Sequence, residues 1–545
     1  MDPVTAVVWT VAFVVVTVSV TGLTRRLNWS APVVLVIVGG IASFIPIVPV
    51  VHVEPELVLY GVLPPLLFAQ AVRTSFIDVR RRRDSILILS VGTVAFTVIV
   101  VGLTTSLLLP AIGLAAAFAF AAVIAPTDTV AVTSVTGRLA LPRRVVTVLE
   151  GESLLNDAAA LVALNAAIAA MTTLLSPLLV AGEFLLAVAG GVAVGLAIGW
   201  TMAFIRSRLR SPVLDTSLAL ITPYLAFIAA EAVLGSGVLA VVIAGLYLGY
   251  RSPVVQSAEA RIAESVNWRT IQFLLENAVF LFIGLNLASI LQGAIRTGPG
   301  LWATIGICSV VFVTLVVSRF AFVLAVAWFF RRGPRRLRRQ HVQWKNAVVI
   351  AAANVRGVVT LAAVFLLPEM TPDREFLQFL AFVIVVATLV SGLALPVLVR
   401  RLHLPPPNAA QEQMERETLM AEAHAAGLGR LELEIGEADE ERVVSQLRAN
   451  ATLISDSLEH PAADPSSESF LASYARLRRT MIAEERRAVL AARSEGRFPE
   501  TAVKFVLRAI DAEELSLNAI TKAPDAAAPR PQPADTRSPG RRGHV

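Results

Sequence analysis

The ten residues Leu149-Glu150-Gly151-Glu152-Ser153-Leu154-Leu155-Asn156-Asp157-Ala158 open a long apolar stretch with three carboxylates and a side-chain amide. Helical spacing decides how these groups are shared out. Ser153 and Asp157 stand four residues apart and lie on one face, as do Glu152 and Asn156 on a second. Two polar faces at one depth of an apolar helix can hold a desolvated cation on one side and an ion pair on the other. For Glu150 and Glu152 a plainer reading competes, a helix start at an interface whose acids face the positive end of the helix dipole. Asp157 lies a turn or more deeper, where that reading is weaker.

The chain around this stretch has the composition of a membrane protein. Of 545 residues, 56% are hydrophobic and 16% charged, whereas a soluble domain carries about 25% charge. The single Cys308 leaves no intramolecular disulfide. A hydrocarbon core about 30 Å thick needs roughly 20 apolar residues per helix. Residues 4–23 and 376–399 carry no charge, and further apolar runs lie near 31–49, 56–73, 85–109, 111–136, 145–171, 179–205, 213–233, 236–250, 270–291, 301–330 and 346–367. The expectation is an all-α polytopic membrane protein of about thirteen spans.

The net charge of +6 is unevenly placed: residues 1–405 carry +11 and residues 406–545 carry −5. The break falls at Leu404-Pro405-Pro406-Pro407-Asn408, so residues 1–404 are expected to form the membrane domain and residues 405–522 a cytosolic tail. Amphipathic stretches at 412–425, 437–454, 469–493 and 501–520 make that tail helical, either a regulatory or assembly domain or an inert appendage. The Pro/Ala-rich residues 523–545 are expected to be disordered. Arg25-Arg26, Arg80 to Arg83, Arg138 with Arg143-Arg144, Arg206 to Arg210, Arg251 to Arg269, Arg331 to Arg339 and Arg400-Arg401 fall in every second connection. Positive short loops stay cytoplasmic. The alternation therefore calls for an odd number of spans, an external N-terminus and an internal tail. Met1-Asp2-Pro3 supplies no basic n-region, so the first span reads as retained. With its positive charge spent on topology, the chain is expected to have no nucleic-acid partner; the 331–339 loop either touches anionic lipid or is explained by positive-inside topology alone.

Several functions are excluded. Lys345, Lys504 and Lys522 are the only lysines and none follows glycine, so no phosphate-cradling loop exists. All six histidines lie in loops or tail, which leaves no His-based zinc site or proton relay in the bilayer. No Thr-Val-Gly-Tyr-Gly filter occurs. The chain reads as neither an enzyme nor a cofactor protein. What remains are acids inside spans, Asp128, Glu152, Asp157, Glu231 and Glu276, with Arg319 and Arg356 as basic partners. Ionised groups at such depth are costly and are usually paired or functional. Asp128 sits in Ala125-Pro126-Thr127-Asp128-Thr129, where proline disfavours helix and is expected to break the span, a kinked but continuous helix being the alternative. Ala353-Asn354-Val355-Arg356-Gly357-Val358-Val359-Thr360 interrupts a late span in the corresponding way. One interruption in each half points to an inverted repeat with ion sites at its midplane.

These strings resemble the monovalent cation:proton antiporter-1 family, the bacterial relatives of animal sodium/proton exchangers. The resemblance rests on Pro126-Thr127-Asp128, the 149–158 string and Arg356-Gly357-Val358-Val359-Thr360-Leu361-Ala362-Ala363. Pro223-Tyr224, Ala230-Glu231-Ala232, Ser236-Gly237-Val238-Leu239-Ala240 and Ala244-Gly245-Leu246-Tyr247-Leu248-Gly249 are similar to its later spans. The likeness covers roughly residues 1–402, and the Glu-Ser-Leu-Leu-Asn-Asp string is highly specific.

The resemblance implies a homodimer of thirteen-helix protomers, each with a dimerisation domain and a six-helix core domain carrying two crossed, unwound helices. It implies an ion-binding set of Asp157, Asn156, Ser153 and Thr127. Asp157 would take either a proton or Na⁺, and Ser153 and the backbone or hydroxyl of Thr127 would be further ligands. Asn156 stands in place of the second aspartate of electrogenic relatives. Glu152 would pair with an arginine on the eleventh span, where Arg319 fits. Asp128 and Arg356 match the charges at the helix crossing, an acid for the two positive N-terminal ends and a base for the two negative C-terminal ends. Three positions depart from the pattern: Ala69-Gln70 where many relatives carry a third-span acid, Asn354 where glycine is common, and Thr129 where proline or alanine is.

Low dielectric favours the neutral acid and a bound cation favours the carboxylate, so proton and cation would compete for Asp157. One titrating carboxylate per site implies electroneutral exchange of one proton for one cation, with access alternated by rocking of the core domain. The function implied is exchange of Na⁺, with Li⁺, for protons across the bacterial plasma membrane in pH homeostasis. A K⁺/H⁺ antiporter shares this core, and a cation channel is the rival from another class. Glu231 either lines the ion route or makes an interhelical hydrogen bond, and Glu276-Asn277 receives no role.

Overall fold

A computed structural model describes residues 3–27, 29–48, 57–128, 132, 141–172, 177–332, 343–404, 414, 422–423, 425–433, 435, 439, 441–449, 470–494 and 500–521. These residues form helices and no strand. The chain divides into two compact units, Met1–Leu404 and Pro405–Val545. The Pro/Ala-rich end, Thr129 and the loops at Arg138 and at 333–342 lie outside the described residues.

The first unit runs α1 (Pro3–Leu27), α2 (Ala31–Ser43), α3 (Leu63–Arg73), α4 (Phe76–Arg81), α5 (Arg83–Leu87), α6 (Thr93–Leu108) and α7 (Gly113–Ile124). It continues with α8 (Arg143–Thr172), α9 (Pro177–Arg206), α10 (Pro212–Glu231), α11 (Gly237–Val255), α12 (Ala258–Leu285) and α13 (Leu287–Thr297). It ends with α14 (Leu301–Arg332), α15 (Trp344–Ala352), α16 (Val358–Val364), α17 (Arg374–Gly392) and α18 (Leu395–Leu402). Among the described residues nine helices are long and apolar enough to cross a bilayer, and Ala31–Ser43, Leu57–Arg73 and Pro110–Ile124 are shorter apolar helices. This is a multi-span membrane protein, as the apolar runs require.

Two groups of helices make up the unit. α6, α7, α8 and α14 to α17 pack on one another, while α2 and α3 pack on α9 to α12 through the pairs α2–α12, α3–α11 and α9–α11. The α2–α12 contact is a backbone approach that only glycine permits. A Cβ on Gly39 would lie 2.9 Å from Gly284 Cα, and one on Gly284 would lie 2.8 Å from Gly39 Cα.

The tenth apolar run begins earlier than its hydropathy suggests. The sequence places Arg251 to Arg269 in a loop and the span at 270–291, but α12 starts at Ala258 and includes Arg261, Glu264 and Arg269. The reason is a partner far away in sequence. Arg206, at the end of α9, donates from Nε to Asp215 Oδ1 at 2.8 Å and from Nη2 to Glu264 Oε2 at 2.6 Å, all three side chains buried. Gln256 donates to Asp215 Oδ2 at 2.8 Å and also bonds Glu264. With its acid paired, the polar first half of α12 can continue the helix into the bundle.

In the second unit α19 (Phe470–Ser494) and α20 (Glu500–Thr521) form a hairpin around Ala475, Ile482, Ile510 and Leu517. Its rim is ionic: Arg478 donates to Glu513 at 2.6 and 2.7 Å and to Glu485 at 2.7 Å. These hydrogen bonds hold the Arg478 guanidinium above its ordinary pKa and, from Arg478, the Glu513 carboxyl below the usual carboxylate range.

Candidate functional site

Both interruptions expected from the sequence are present, and they touch. α7 stops at Ile124, two residues before Pro126, and residues 125–128 run on without helix. α15 stops at Ala352, residues 353–357 are non-helical, and α16 starts after Gly357. The two loose segments meet where the Asp128 N–H donates to the Val355 carbonyl at 2.9 Å. Gly357 is required at this point, because a Cβ there would overlap the Asp128 carboxylate.

In hydrocarbon each unpartnered backbone group costs several kcal/mol, so unwound helix ends need local partners. Arg356, 1% exposed, supplies them at the C-terminal end of α7. Its Nε donates to the Ile124 carbonyl at 2.8 Å and its Nη2 to the Ala125 carbonyl at 3.2 Å. Its Nη1 bonds both the Asn354 carbonyl, at 3.2 Å, and the Asn354 side-chain oxygen. Asn354 thus gives the guanidinium an acceptor that glycine in that place would lack. Asp128 faces the N-terminal end of α16 and Arg356 the C-terminal end of α7, each opposite in charge to the dipole end that it meets.

α8 packs against this crossing with the face read from its spacing. Ser153, Asn156 and Asp157 are all buried. Asn156 Nδ2 donates to Thr127 Oγ1 at 2.9 Å and reaches the Thr127 carbonyl at 3.3 Å, which ties α8 to the unwound segment. Asn156 Oδ1 is buried without a hydrogen-bond partner. Asp157 lies close enough to Asp128 for the two carboxylates to repel each other. The crossing thus holds the open amide oxygen of Asn156 and the oxygens of Thr127, with the buried Asp157 carboxylate on the next residue of α8 and Ser153 one turn away on the Asp157 face. These hard oxygen donors, with negative charge in excess, suit a small monovalent cation.

Glu152 points elsewhere. Its Oε1 accepts from Arg319 Nη1 at 2.7 Å, both side chains 1% exposed. Arg319 Nη2 also donates to the Ile350 carbonyl at 3.1 Å, so the pair joins α8, α14 and α15.

A cavity of about 340 Å³ runs up to Ser153 and is lined by Gln70, Arg73, Glu150, Arg269, Gln272 and Glu276, among others. Sequence reasoning gave Glu276 no role, and the Arg206, Asp215, Glu264 cluster went unseen. A second cavity of about 420 Å³ lies farther along α8, at Asn165, with Glu183 and Glu231 in its wall. Glu231 Oε1 accepts from the Gly237 N–H at 3.2 Å, at the start of α11.

The profile described as "Sodium/hydrogen exchanger, transmembrane" matches residues 12–401. The chain belongs to that exchanger family. It is 30% identical over 524 residues to an uncharacterized Na⁺/H⁺ exchanger of Mycobacterium tuberculosis, covering 93% of this chain and 95% of the relative. It is 33% identical over 388 residues to a sodium, potassium, lithium and rubidium/H⁺ antiporter of Bacillus subtilis, covering 67% of this chain and 57% of that protein. Among solved structures, the sodium proton antiporter MjNhaP1 of Methanocaldococcus jannaschii superposes with a TM-score of 0.60 at 18% identity, covering 74% of this chain and 99% of that one. That likeness shows the fold.

Proposed function

We propose that this exchanger takes Na⁺, or Li⁺, and a proton in turn at Asp157, and moves them in opposite directions, one for one. The observation that carries the reading is the burial of the Asp157 carboxylate next in sequence to Asn156, whose open amide oxygen and bond to Thr127 lie at the crossing of two broken helices. A desolvated cation there restores the charge balance that Asp128 disturbs. A proton on Asp157 does the same, so each ligand displaces the other. With one exchangeable charge either way, the membrane potential does no net work on the cycle.

Access alternates as the group around the crossing rocks against the group built on α2, α3 and α9 to α12. The cavity ending at Ser153 is the open route, and in this reading it faces the cytoplasm, which the positive charge of Arg73 and Arg269 in its wall supports. In this reading thirteen spans put the N-terminus outside and the tail inside, and two protomers pair through the α9 to α12 group in the bacterial plasma membrane. The exchange serves pH homeostasis. Residues 405–522 form a separate cytosolic domain.

The test is cation-driven collapse of a respiratory proton gradient in everted vesicles, with Na⁺, Li⁺ and K⁺ added separately. Na⁺ and Li⁺ are expected to dissipate the gradient, and valinomycin is expected to leave the rate unchanged. Conductance that ignores an opposing proton gradient would replace exchange with a channel.

A further inference from the structure

Five carboxylates are buried among the described residues of the first unit: Glu152, Asp157, Asp215, Glu264 and Glu276. Glu152 has Arg319 at 2.7 Å, and Asp215 and Glu264 have Arg206 at 2.8 and 2.6 Å. Among the described residues Asp157 and Glu276 have no such partner. Burying an ionised carboxylate without a counter-charge is costly, so each of the two needs a proton or a mobile cation to settle its charge. For Asp157 the preceding section supplies both.

Glu276 lies on α12, in the wall of the cavity that ends at Ser153. Its surroundings are built. Arg73 Nη1 donates to Gln272 Oε1 at 2.8 Å, which fixes the orientation of that amide. The Gln272 Nε2 so oriented donates to Glu276 Oε1 at 2.7 Å. Gln70, on α3, reaches the same carboxylate. Arg73 thus acts on Glu276 through an intervening amide instead of neutralising it directly. The cavity is large enough to admit a cation with water still attached. Its walls come from α3 and α12 on one side and α8 on the other, the two helix groups whose relative movement changes access.

We propose that Glu276 is a second cation-binding carboxylate of this chain, a receiving site for a partly hydrated Na⁺ or Li⁺ on the way to Asp157, with Gln70 as its neighbour on the adjacent helix α3. The proposal rests on the Asp157 reading and adds a step before it. The ion exchanges water for the Glu276 carboxylate inside the cavity, passes Ser153, and completes its dehydration against Asp157 and Thr127. Glu276 sets how readily the cation is captured, whereas Asp157 sets whether exchange occurs at all.

The experiment measures gradient dissipation in everted vesicles against Na⁺ concentration for the wild type, Glu276→Gln, Gln70→Glu and the double variant, with membrane abundance checked. Loss of one carboxylate from the route should raise the apparent KM for Na⁺ about tenfold in Glu276→Gln while the rate at saturating Na⁺ stays within about twofold. Gln70→Glu in the Glu276→Gln background returns a carboxylate to the same cavity from the neighbouring helix α3, and should restore the KM. A structural role for Glu276 would lower abundance or maximal rate and would not be rescued from α3. A wild-type KM in Glu276→Gln, or a double variant no better than the single one, overturns the proposal. Should Glu276→Gln fail to reach the membrane, Gln70→Glu alone decides: the added carboxylate should lower the KM, and an unchanged KM counts against the site. A wild type that gives no cation-driven response would refute the exchange reading itself, which no result with Glu276→Gln can do.

Discussion

Removing the guanidinium of Arg319 isolates a buried charge. In Arg319→Ala the Glu152 carboxylate, 1% exposed and held at 2.7 Å by Arg319, is left without its counter-ion. The carbonyl of Ile350 near the end of α15 loses its donor as well. At 2.7 Å and an effective dielectric of about 20, the pair attracts by roughly 6 kcal/mol before desolvation is counted. Breaking one side of such a buried pair costs about 3–5 kcal/mol, and an orphaned carbonyl adds about 1 kcal/mol or more. That is a large part of the roughly 5–15 kcal/mol that holds a typical domain together. Removing both charges is different, because nothing charged stays buried. Glu152→Gln with Arg319→Met is expected to recover most of the loss. The assay is thermal unfolding of the detergent-purified protein, followed by tryptophan fluorescence for the wild type, both single variants and the double. The reasoning fails if Arg319→Ala melts with the wild type, or if the double variant is no more stable than the singles.

Three further outcomes follow from the geometry. Gly357→Ala drives a methyl group into the Asp128 carboxylate and should abolish exchange even where the protein reaches the membrane, as vesicle dissipation and immunoblotting together will show. Asn156→Ala removes both donations to Thr127 and should destabilise the crossing by about 1–3 kcal/mol, measurable as faster hydrogen exchange over residues 113–128. In the tail, the Glu513 carboxyl is held low by Arg478, so its contribution is fully present above the unfolded value of about 4.3 and is lost as the pH falls through the lower folded value. The helix signal of residues 470–494 and 500–521 should therefore hold steady from pH 7 to about pH 5 and decline only in stronger acid. Arg478→Met should remove that step while costing no more than about 1 kcal/mol at neutral pH, because the pair is exposed.

The fold could be read from the sequence wherever the signal was local. Pro126 stops α7 by its own ring, and the uncharged runs at 4–23 and 376–399 need only the thickness of a bilayer to be read as spans. The spacing in 149–158 separates the Ser153–Asp157 face from the Glu152–Asn156 face in any helix. What lay beyond the sequence depended on partners brought together by folding. Arg206, Asp215 and Glu264 each sit at the end of an apolar run, where a charge looks interfacial, and only the meeting of α9, α10 and α12 shows them to be buried together. The early start of α12 was missed for the same reason. Asn156 differs again: its place on the helix was clear, but that its amide donates to Thr127 and leaves Oδ1 open follows from the non-helical course of residues 125–128. Glu276 was noticed as an acid inside a span, but the cavity that gives it meaning joins α3, α8 and α12, which stand far apart in the chain.

Competition between proton and cation at Asp157 is measured most directly by calorimetric titration of the purified protein with Na⁺, repeated in buffers of different ionisation enthalpy so that proton release is counted. At a pH where Asp157 holds its proton, each Na⁺ bound should release close to one proton, and with Glu276 replaced by Gln so that only one carboxylate is left to bind, Asp157→Asn should show neither the binding heat nor the release. Na⁺ binding with no proton released, or binding and release that persist in Asp157→Asn with Glu276→Gln, would contradict the assignment.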